Sequence, residues 1–498
     1  MKRISKYFEV DFLQGPIIKS LIIFAIPIFI SSIFQQMYNM VDTMIVGNYL
    51  GDEALAAMGA CASISDLMVG FCLGVGSGMA VVTARSFGAE NQKLLKKSVA
   101  MTMVLGAMVT VVISACGGLL LRPLLELLNT PAEIIDQSYS YVSTIVAGAL
   151  VMLAYNLSAG MLRAIGNSVM PLVFLVVSSI LNVGLDILFI SEFHMGVRGA
   201  AVATVIAQGI SAILCIIYIW KKAPMLVPSR EHFRFDKGLC EELLGQGISM
   251  GLMGSIVSCG TVILQSGING FGTLIIAGHT AARKLHSVCM MFIGTMSMAC
   301  STFVSQNKGA GNRERILRAM KYMYLYDVVA AGIITVCLHF VARPLVHLIT
   351  GSTEEVVLNN ASMYLYVAGP FYAVLGVLLQ TRSALQGIGE KLLPIISSVI
   401  EMVGKVIFTV VCIPKFGYMA VIWCEPLIWC CMAAQLLFCY YRNPYVCGEG
   451  LKYRDLCTMG NRTVYFADIT IYFSTVLKYN ISISRKHRYP ERRKVWKF

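Results

Sequence analysis

Long apolar stretches recur along the chain, and each is about as long as a helix that crosses a bilayer. Roughly 20 apolar residues span the hydrocarbon core, which is about 30 Å thick. We predict twelve such helices, spans 1 to 12, at 20–46, 54–82, 98–121, 138–160, 169–190, 198–219, 241–268, 277–304, 319–342, 361–385, 393–413 and 417–441. Because only helices and closed barrels satisfy their backbone hydrogen bonds in lipid, the pattern predicts an all-α polytopic membrane protein.

Composition and the placement of charge agree with this prediction. The chain is 57% hydrophobic and 13% charged, whereas soluble domains carry about 25% charged residues. Basic residues collect at the N-terminus and after spans 2, 6 and 8, and the loops between these are acidic or nearly neutral. The positive-inside rule then places both termini in the cytoplasm of a multi-pass cell-membrane protein. The net charge of +13 thus reflects topology, and nucleic-acid binding is not expected.

The two halves of the chain repeat each other. GMAVVTARSFGAENQK after span 2 matches TFVSQNKGAGNRER after span 8, and LRAIGNSVMPLVF before span 5 matches LQGIGEKLLPIIS before span 11. Six spans in each half give both halves the same orientation, a layout found in secondary transporters. No P-loop motif is present, so ATP is not expected as the direct energy source. The predicted units are an N-lobe (1–220), an interlobe loop (221–240), a C-lobe (241–445) and a basic cytoplasmic tail (446–498).

Two acids lie inside apolar runs of the first half, where a carboxylate costs roughly 2.5–3.5 kcal/mol. Topology places Asp42 of span 1 and Asp186 of span 5 at the same depth, in the outer half of the membrane. Helical spacing and depth bring further groups beside them, which are Gln35, Tyr38, Asn182, Ala200 and Thr204. Carboxylate, amide, hydroxyl and carbonyl oxygens suit Na+, and the two acids are equally suited to carry a proton. The sequence therefore predicts a cation-coupling site in the first half only.

The second half has buried charges of its own. Glu401 and Lys405 are four residues apart in span 11, and this spacing favours a structural ion pair. Arg283, Lys284 and His286 lie early in span 8 and are also expected to be buried. For Arg283 two interpretations remain open, because it either anchors helix packing or lines a cavity.

Several sequence motifs of the chain resemble those of the MATE family, the multidrug and toxic compound extrusion transporters. The resemblance covers roughly residues 15–445 and depends on the order and spacing of several motifs. These motifs are YNMVDTMIVGNYLG, SFGAENQ with its repeat SQNKGAGN, LRAIGNSVMP, NVGLDILFI, GAAVAT, LQGIGEKLLP and CEPLIW.

The resemblance implies two six-helix lobes in a V around a central cavity. It also implies export of organic, often cationic and lipophilic, compounds in exchange for Na+ or H+. The family's cation-binding groups match Asp42, Asn182, Asp186, Thr204 and the Ala200 carbonyl, and its network positions match Gln35, Tyr38, Tyr141 and Asn156. The family's bent first helix matches Pro27, and a kink there is either static or part of transport. Acids that some members carry in spans 7 and 10 have no match here.

Other function classes are less well supported. A flippase for lipid-linked oligosaccharides, from the same superfamily, is the main alternative, but it needs a strongly cationic cavity. A major-facilitator transporter also has two six-span halves, but its basic loop after span 2 is replaced here by ARSFGAENQK. An enzyme is not expected, because no nucleophile–base or metal-ligand constellation is present. We expect no cofactor beyond the coupling ion and no obligate protein partner; small organic substrates and membrane lipids are the expected partners.

The last fifty residues depart from the family pattern. They are basic and lose helical periodicity, and Arg485 to Lys497 form a cationic run. We interpret them as a poorly ordered cytoplasmic tail, and attraction of this segment to anionic lipid is the alternative.

Overall fold

The computed structural model describes residues 10–127 and 130–448, so the predicted tail lies outside the described residues from 449 onward. Within these ranges all twelve predicted spans are confirmed. Their bounds are Ile17–Leu50, Asp52–Gly88, Gln92–Leu127, Ile135–Ala147 with Ala149–Ala164, Val169–Ile187, Val197–Lys222, Lys237–Asn269, Thr273–Gly309, Arg313–Thr350, Glu355–Ile388, Leu392–Ile407 and Tyr418–Arg442. Span 4 is the pair of helices, which meet at an angle of 46°. Most spans are longer than predicted, because helical hydrogen bonding continues past the apolar segment that hydropathy detects.

The repeat in the sequence corresponds to a repeat in structure. Span 5 continues into a π-helical turn at Leu188–Glu192, and span 11 continues into one at Phe408–Cys412. Spans 4 and 10 are each followed by a glycine with positive φ, Gly166 at 91° and Gly389 at 108°. Only glycine adopts this conformation without strain, which explains why both repeated loop motifs contain it. The fold is two pseudo-symmetric six-helix lobes around a V-shaped central cavity.

Spans 2 and 7 form the seam between the lobes, because their backbones approach closely. A Cβ atom added to Gly74 would lie 2.6 Å from the Met250 carbonyl oxygen, and one added to Gly78 would lie 2.6 Å from the Gln246 carbonyl carbon. Small residues allow this contact in membranes, as dispersion forces and not hydrophobic burial drive helix association there.

The lobes also meet at one end of the bundle, which holds residues 10–16 and the loops 89–91, 165–168, 310–312 and 389–391; we call it the basic end. The backbone at Gly88 packs against Gln306, and the backbone at Gly309 packs against Arg85. These pairs are equivalent under the repeat, because Gly88 and Gly309 occupy the same position in SFGAENQ and SQNKGAGN. The first repeated motif therefore forms a symmetric contact between the lobes.

The second repeated motif contributes to the same contact. Gln306 Nε2 donates to the Ala164 carbonyl at 2.7 Å, and Arg85 Nη2 donates to the equivalent carbonyl of Gly387 at 3.3 Å. Arg85 departs from the symmetry, since it also forms an ion pair with Glu242 at the start of span 7. These contacts close the basic end.

The segment before span 1 bridges both lobes at the basic end. The Val10 N–H donates to the Gly166 carbonyl of the N-lobe at 3.1 Å. Two residues later Phe12 is fully buried in the C-lobe core, and its carbonyl accepts from Asn307 Nδ2 at 3.1 Å and Arg315 Nε at 2.9 Å. Span 1 is thus fastened to the contact that closes this end.

Candidate functional site

Asp42 and Asp186 come together inside the N-lobe, where spans 1 and 5 pack against each other. Asp42 is 7% exposed and Asp186 is fully buried. The two carboxyl groups are close enough to interact directly, so one proton held between them would remove half of their charge. Without that proton, Oδ1 of Asp42 and both oxygens of Asp186 have no donor within the described residues. Since an isolated buried carboxylate is costly, the pair requires a proton or a bound cation.

A small polar cavity lies next to the two acids. It has a volume of about 40 Å³, which holds a few water molecules but no drug-sized compound. Asn182, one helical turn before Asp186, lines this cavity and is 2% exposed, and neither its Oδ1 nor its Nδ2 has a hydrogen-bond partner in the part of the chain described. The predicted residues that also line the cavity are Gln35, Tyr38, Asn156 and Thr204.

The remaining predicted N-lobe residues lie close by but outside the lining. Tyr141 is near both acids and packs against the apolar clusters on either side. Ala200 is fully buried beside Ile45 and Val46, which lie about one helical turn after Asp42 on span 1. The structure therefore brings the predicted set together, and it adds cavity residues that sequence reasoning missed, namely Tyr155, Ser178, Ser179, Gln208 and Ser211. Gln208 offered a signal, since it lies one turn after Thr204 in an apolar helix.

The π-helical turn after Asp186 is not specific to this site. Such turns are frequent at functional sites, and this one begins two residues after Asp186. Span 11 carries an equivalent turn without an equivalent acid pair. We therefore assign the turn to the shared fold of the lobes.

The C-lobe contains a network of paired charges. Arg283 Nη1 lies 2.7 Å from both carboxylate oxygens of Glu425, and the Tyr364 hydroxyl donates to Glu425 at 2.6 Å. Lys405 Nζ donates to Glu401 at 2.9 Å and lies 3.9 Å from Glu425. The predicted Glu401–Lys405 pair is present, and Arg283 anchors spans 8, 10 and 12 while its side chain stays 31% exposed.

One expectation for the C-lobe needs correction, and two buried acids were missed. Lys284 is exposed and not buried, because consecutive helical residues point about 100° apart and Arg283 faces inward. Glu425 was missed as a buried acid, although it is the acid of CEPLIW. Asp327 of span 9 was also missed; it is fully buried, and Gln380 Nε2 donates to it at 3.4 Å.

Comparison with known proteins identifies the family. The MatE family model matches residues 27–188 and 250–411, one block in each lobe. The chain belongs to the MATE family. A probable multidrug resistance protein of Bacillus subtilis, YpnP, is 30% identical over 61% of this chain and 68% of its own length. A second one from that organism, YoeA, is 25% identical over 78% of this chain and 84% of its own.

Solved structures show the same fold. The outward-facing conformation of a multidrug resistance MATE transporter aligns with a TM-score of 0.79 at 22% identity, over 86% of this chain and 96% of that one. The resemblance inferred from the motifs is confirmed, as are the fold class and the expectation that the protein is not an enzyme. The protein is a multi-pass membrane transporter with multidrug-efflux relatives, and small molecules are the substrate class of this family.

Pro27 lies inside span 1, which continues as one helix from Ile17 to Leu50. Proline has no N–H to donate, and the Pro27 carbonyl accepts from the Ser31 hydroxyl at 2.8 Å. Span 1 thus carries a weakened turn between the basic end and Asp42. Whether this turn moves during transport stays a prediction.

Proposed function

We propose that this MATE protein is a secondary antiporter that exports small organic compounds in exchange for Na+ or H+, by alternating access. The observation that carries the proposal is the buried Asp42–Asp186 pair, which has no basic partner among the described residues and lies beside a polar cavity. A transporter needs acids that are free to exchange a cation, and the lack of a basic partner in the described residues supports this role for Asp42 and Asp186.

Either cation suits the donor set. Na+ would be held by carboxylate oxygens of Asp42 and Asp186, the Asn182 amide oxygen and the Thr204 hydroxyl, with the Ala200 carbonyl nearby. A proton would instead be shared between the two carboxyl groups. Either Na+ or a proton would interact with carboxylate oxygens that otherwise have no hydrogen-bond donor in the described residues.

Span 1 connects this site to the contacts that close the basic end. Asp42 lies near one end of span 1, and the segment that precedes the other end joins both lobes through Val10 and Phe12. A cation that fixes span 1 against span 5 therefore favours one arrangement of the lobes over the other. A substrate that favours the opposite arrangement is then released when the cation binds, since two ligands are coupled through their differential affinity for two states.

The supporting evidence favours export of drugs over lipid flipping. Two relatives, YpnP and YoeA, are probable multidrug resistance proteins, and the C-lobe bases Arg283 and Lys405 are each paired with an acid. The unpaired acids of the N-lobe favour cationic, lipophilic compounds. The basic loops favour a cell-membrane orientation with the basic end in the cytoplasm.

The test is efflux of ethidium from proteoliposomes under a Na+ gradient alone or a H+ gradient alone. We expect Asp42→Asn and Asp186→Asn to reduce export more than tenfold, while Asp52→Asn, an exposed acid outside the site, leaves it unchanged. The gradient that sustains export identifies the ion. Thermal unfolding of purified protein in NaCl and in choline chloride provides a readout that needs no substrate, because a bound ion stabilises the folded state. Export and ion response that survive in both variants would refute the site.

A further inference from the structure

An apolar groove lies on the outer face of the N-lobe, between spans 3, 4 and 6. It has a volume of about 320 Å³. Its lining includes Met103, Ala107, Leu150, Ala154, Ile216 and Trp220, and residues 226–228 of the interlobe loop line it at the basic end. The only hydroxyls in the lining are those of Thr110 and Ser158, and Thr110 donates its own to the Gly106 carbonyl at 2.9 Å. The groove therefore suits a hydrocarbon ligand.

The length of the groove matches one leaflet of a bilayer. Along span 3 it extends from Val99 to Thr110, which is about 16 Å at the helical rise of 1.5 Å per residue. Half of the hydrocarbon core is about 15 Å. Because the groove begins at the basic end, it lies in the leaflet whose headgroups face that end.

Polar residues suited to a lipid headgroup stand at the mouth of the groove. Trp220 lines it and is 67% exposed, as is usual for tryptophan at the membrane interface. Lys221 and Lys222 follow directly, both exposed, and neither makes an ion pair or side-chain hydrogen bond within the described residues. Two unneutralised ammonium groups at the end of the helix that carries Trp220 complement an anionic phospholipid.

We propose that this groove is a binding site for one anionic phospholipid. An acyl chain lies along spans 3, 4 and 6, and its phosphate contacts Lys221 and Lys222. The lipid also contacts Val227 and Pro228, so it holds the interlobe loop against the N-lobe. This site is separate from the cavity beside Asp42 and does not depend on the proposed transport activity.

The test uses protein reconstituted in vesicles of equal phosphatidylcholine and phosphatidylglycerol, extracted in mild detergent and examined by native mass spectrometry. We expect the wild type to retain phosphatidylglycerol in preference to phosphatidylcholine. The double variant Lys221→Gln/Lys222→Gln should lose that preference, and Ala107→Trp should retain neither lipid in the groove. Lys415→Gln, at the opposite end, and Val112→Trp, on span 3 outside the groove, are the controls and should behave as wild type.

Retention of phosphatidylglycerol by the double variant at the wild-type level would contradict the proposed headgroup contact. Retention by Ala107→Trp at that level would contradict the proposal that the groove is the binding site. A second measurement needs no variant. A photoactivatable phosphatidylglycerol should label peptides of spans 3, 4 and 6 in wild-type protein, and labelling confined to other spans would overturn the proposal.

Discussion

The two lobes share a fold but handle buried charge in opposite ways. In the N-lobe, Asp42 and Asp186 face each other without a basic partner in the described part of the chain. In the C-lobe, Glu425 is paired with Arg283 and Glu401 with Lys405. A paired acid is neutralised by its own lobe, whereas two unpaired acids that face each other need a proton or a cation between them. Asp327, the buried C-lobe acid without a base in the described residues, stands alone and accepts a hydrogen bond from Gln380. The repeat therefore supplied two similar scaffolds, of which one holds a candidate exchange site and the other a fixed network.

Removing one acid from each lobe tests this difference between the lobes most directly. Glu425→Gln leaves Arg283, which is 31% exposed, without its charged partner, so we expect the free energy of unfolding to fall by up to about 3–5 kcal/mol. Asp186→Asn removes an uncompensated acid, so we expect stability to be unchanged or higher. Thermal unfolding in detergent, followed by intrinsic fluorescence, measures both.

A double variant serves as the control for this prediction. Glu425→Gln/Arg283→Gln removes both charges and should recover part of the loss. If Asp186→Asn proves the more destabilising of the two acid-to-amide changes, the N-lobe acids are structural and the contrast between the lobes is wrong.

Much of the fold could be predicted from sequence because its signals are local. The length of each apolar stretch was enough to locate a membrane-spanning helix, and the motifs around Gly88 and Gly309 revealed the repeat. Helical spacing and depth were enough to group Asp42 with Asp186, since topology alone places both in the same half of the membrane.

Pairing between distant residues could not be predicted in this way. Arg283 and Glu425 are 142 residues apart, and nothing local distinguishes a partnered acid from a free one. The contact of Gly88 with Gln306 was equally hidden. The sequence shows that two motifs repeat, but not that the copies pack against each other across the lobe boundary.

That symmetric contact gives a second, smaller prediction. A Cβ at Gly88 or Gly309 would overlap the opposing backbone, and overpacking of this kind costs about 1–3 kcal/mol. We expect Gly88→Ala and Gly309→Ala to shift the population toward an open basic end by a similar factor, roughly 5- to 150-fold. Distances between spin labels at Lys93 and Glu314, in a background without native cysteines, report the opening.

Gly59→Ala is the matched control, because a Cβ at this position of span 2 meets nothing within 4 Å. It should leave the label distance unchanged. Opening by only one of the two glycine variants would show that the contact is not symmetric in energy, even though it is symmetric in geometry.

The smallest effect is expected where the interlobe loop meets the N-lobe outside the membrane. Lys97 Nζ donates to Asp236 at 2.7 Å, and Asp236 also caps span 7 by accepting from the Leu239 N–H at 3.1 Å. The hydrogen bond from Lys97 lowers the pKa of this carboxyl below its usual value. Because the folded-state pKa of Asp236 is the lower one, the stability that its ionised carboxylate contributes is present above the unfolded-state pKa of about 3.9. This stability is lost as the pH falls through the folded-state pKa.

Asp236→Asn keeps a capping side chain but loses the charge. We therefore expect a slightly lower unfolding temperature than wild type at neutral pH and no difference in strong acid. Asp236→Ala, which also loses the cap, should remain less stable at both pH values; a difference between wild type and Asp236→Asn that persists in acid would mean that the ion pair is not its source.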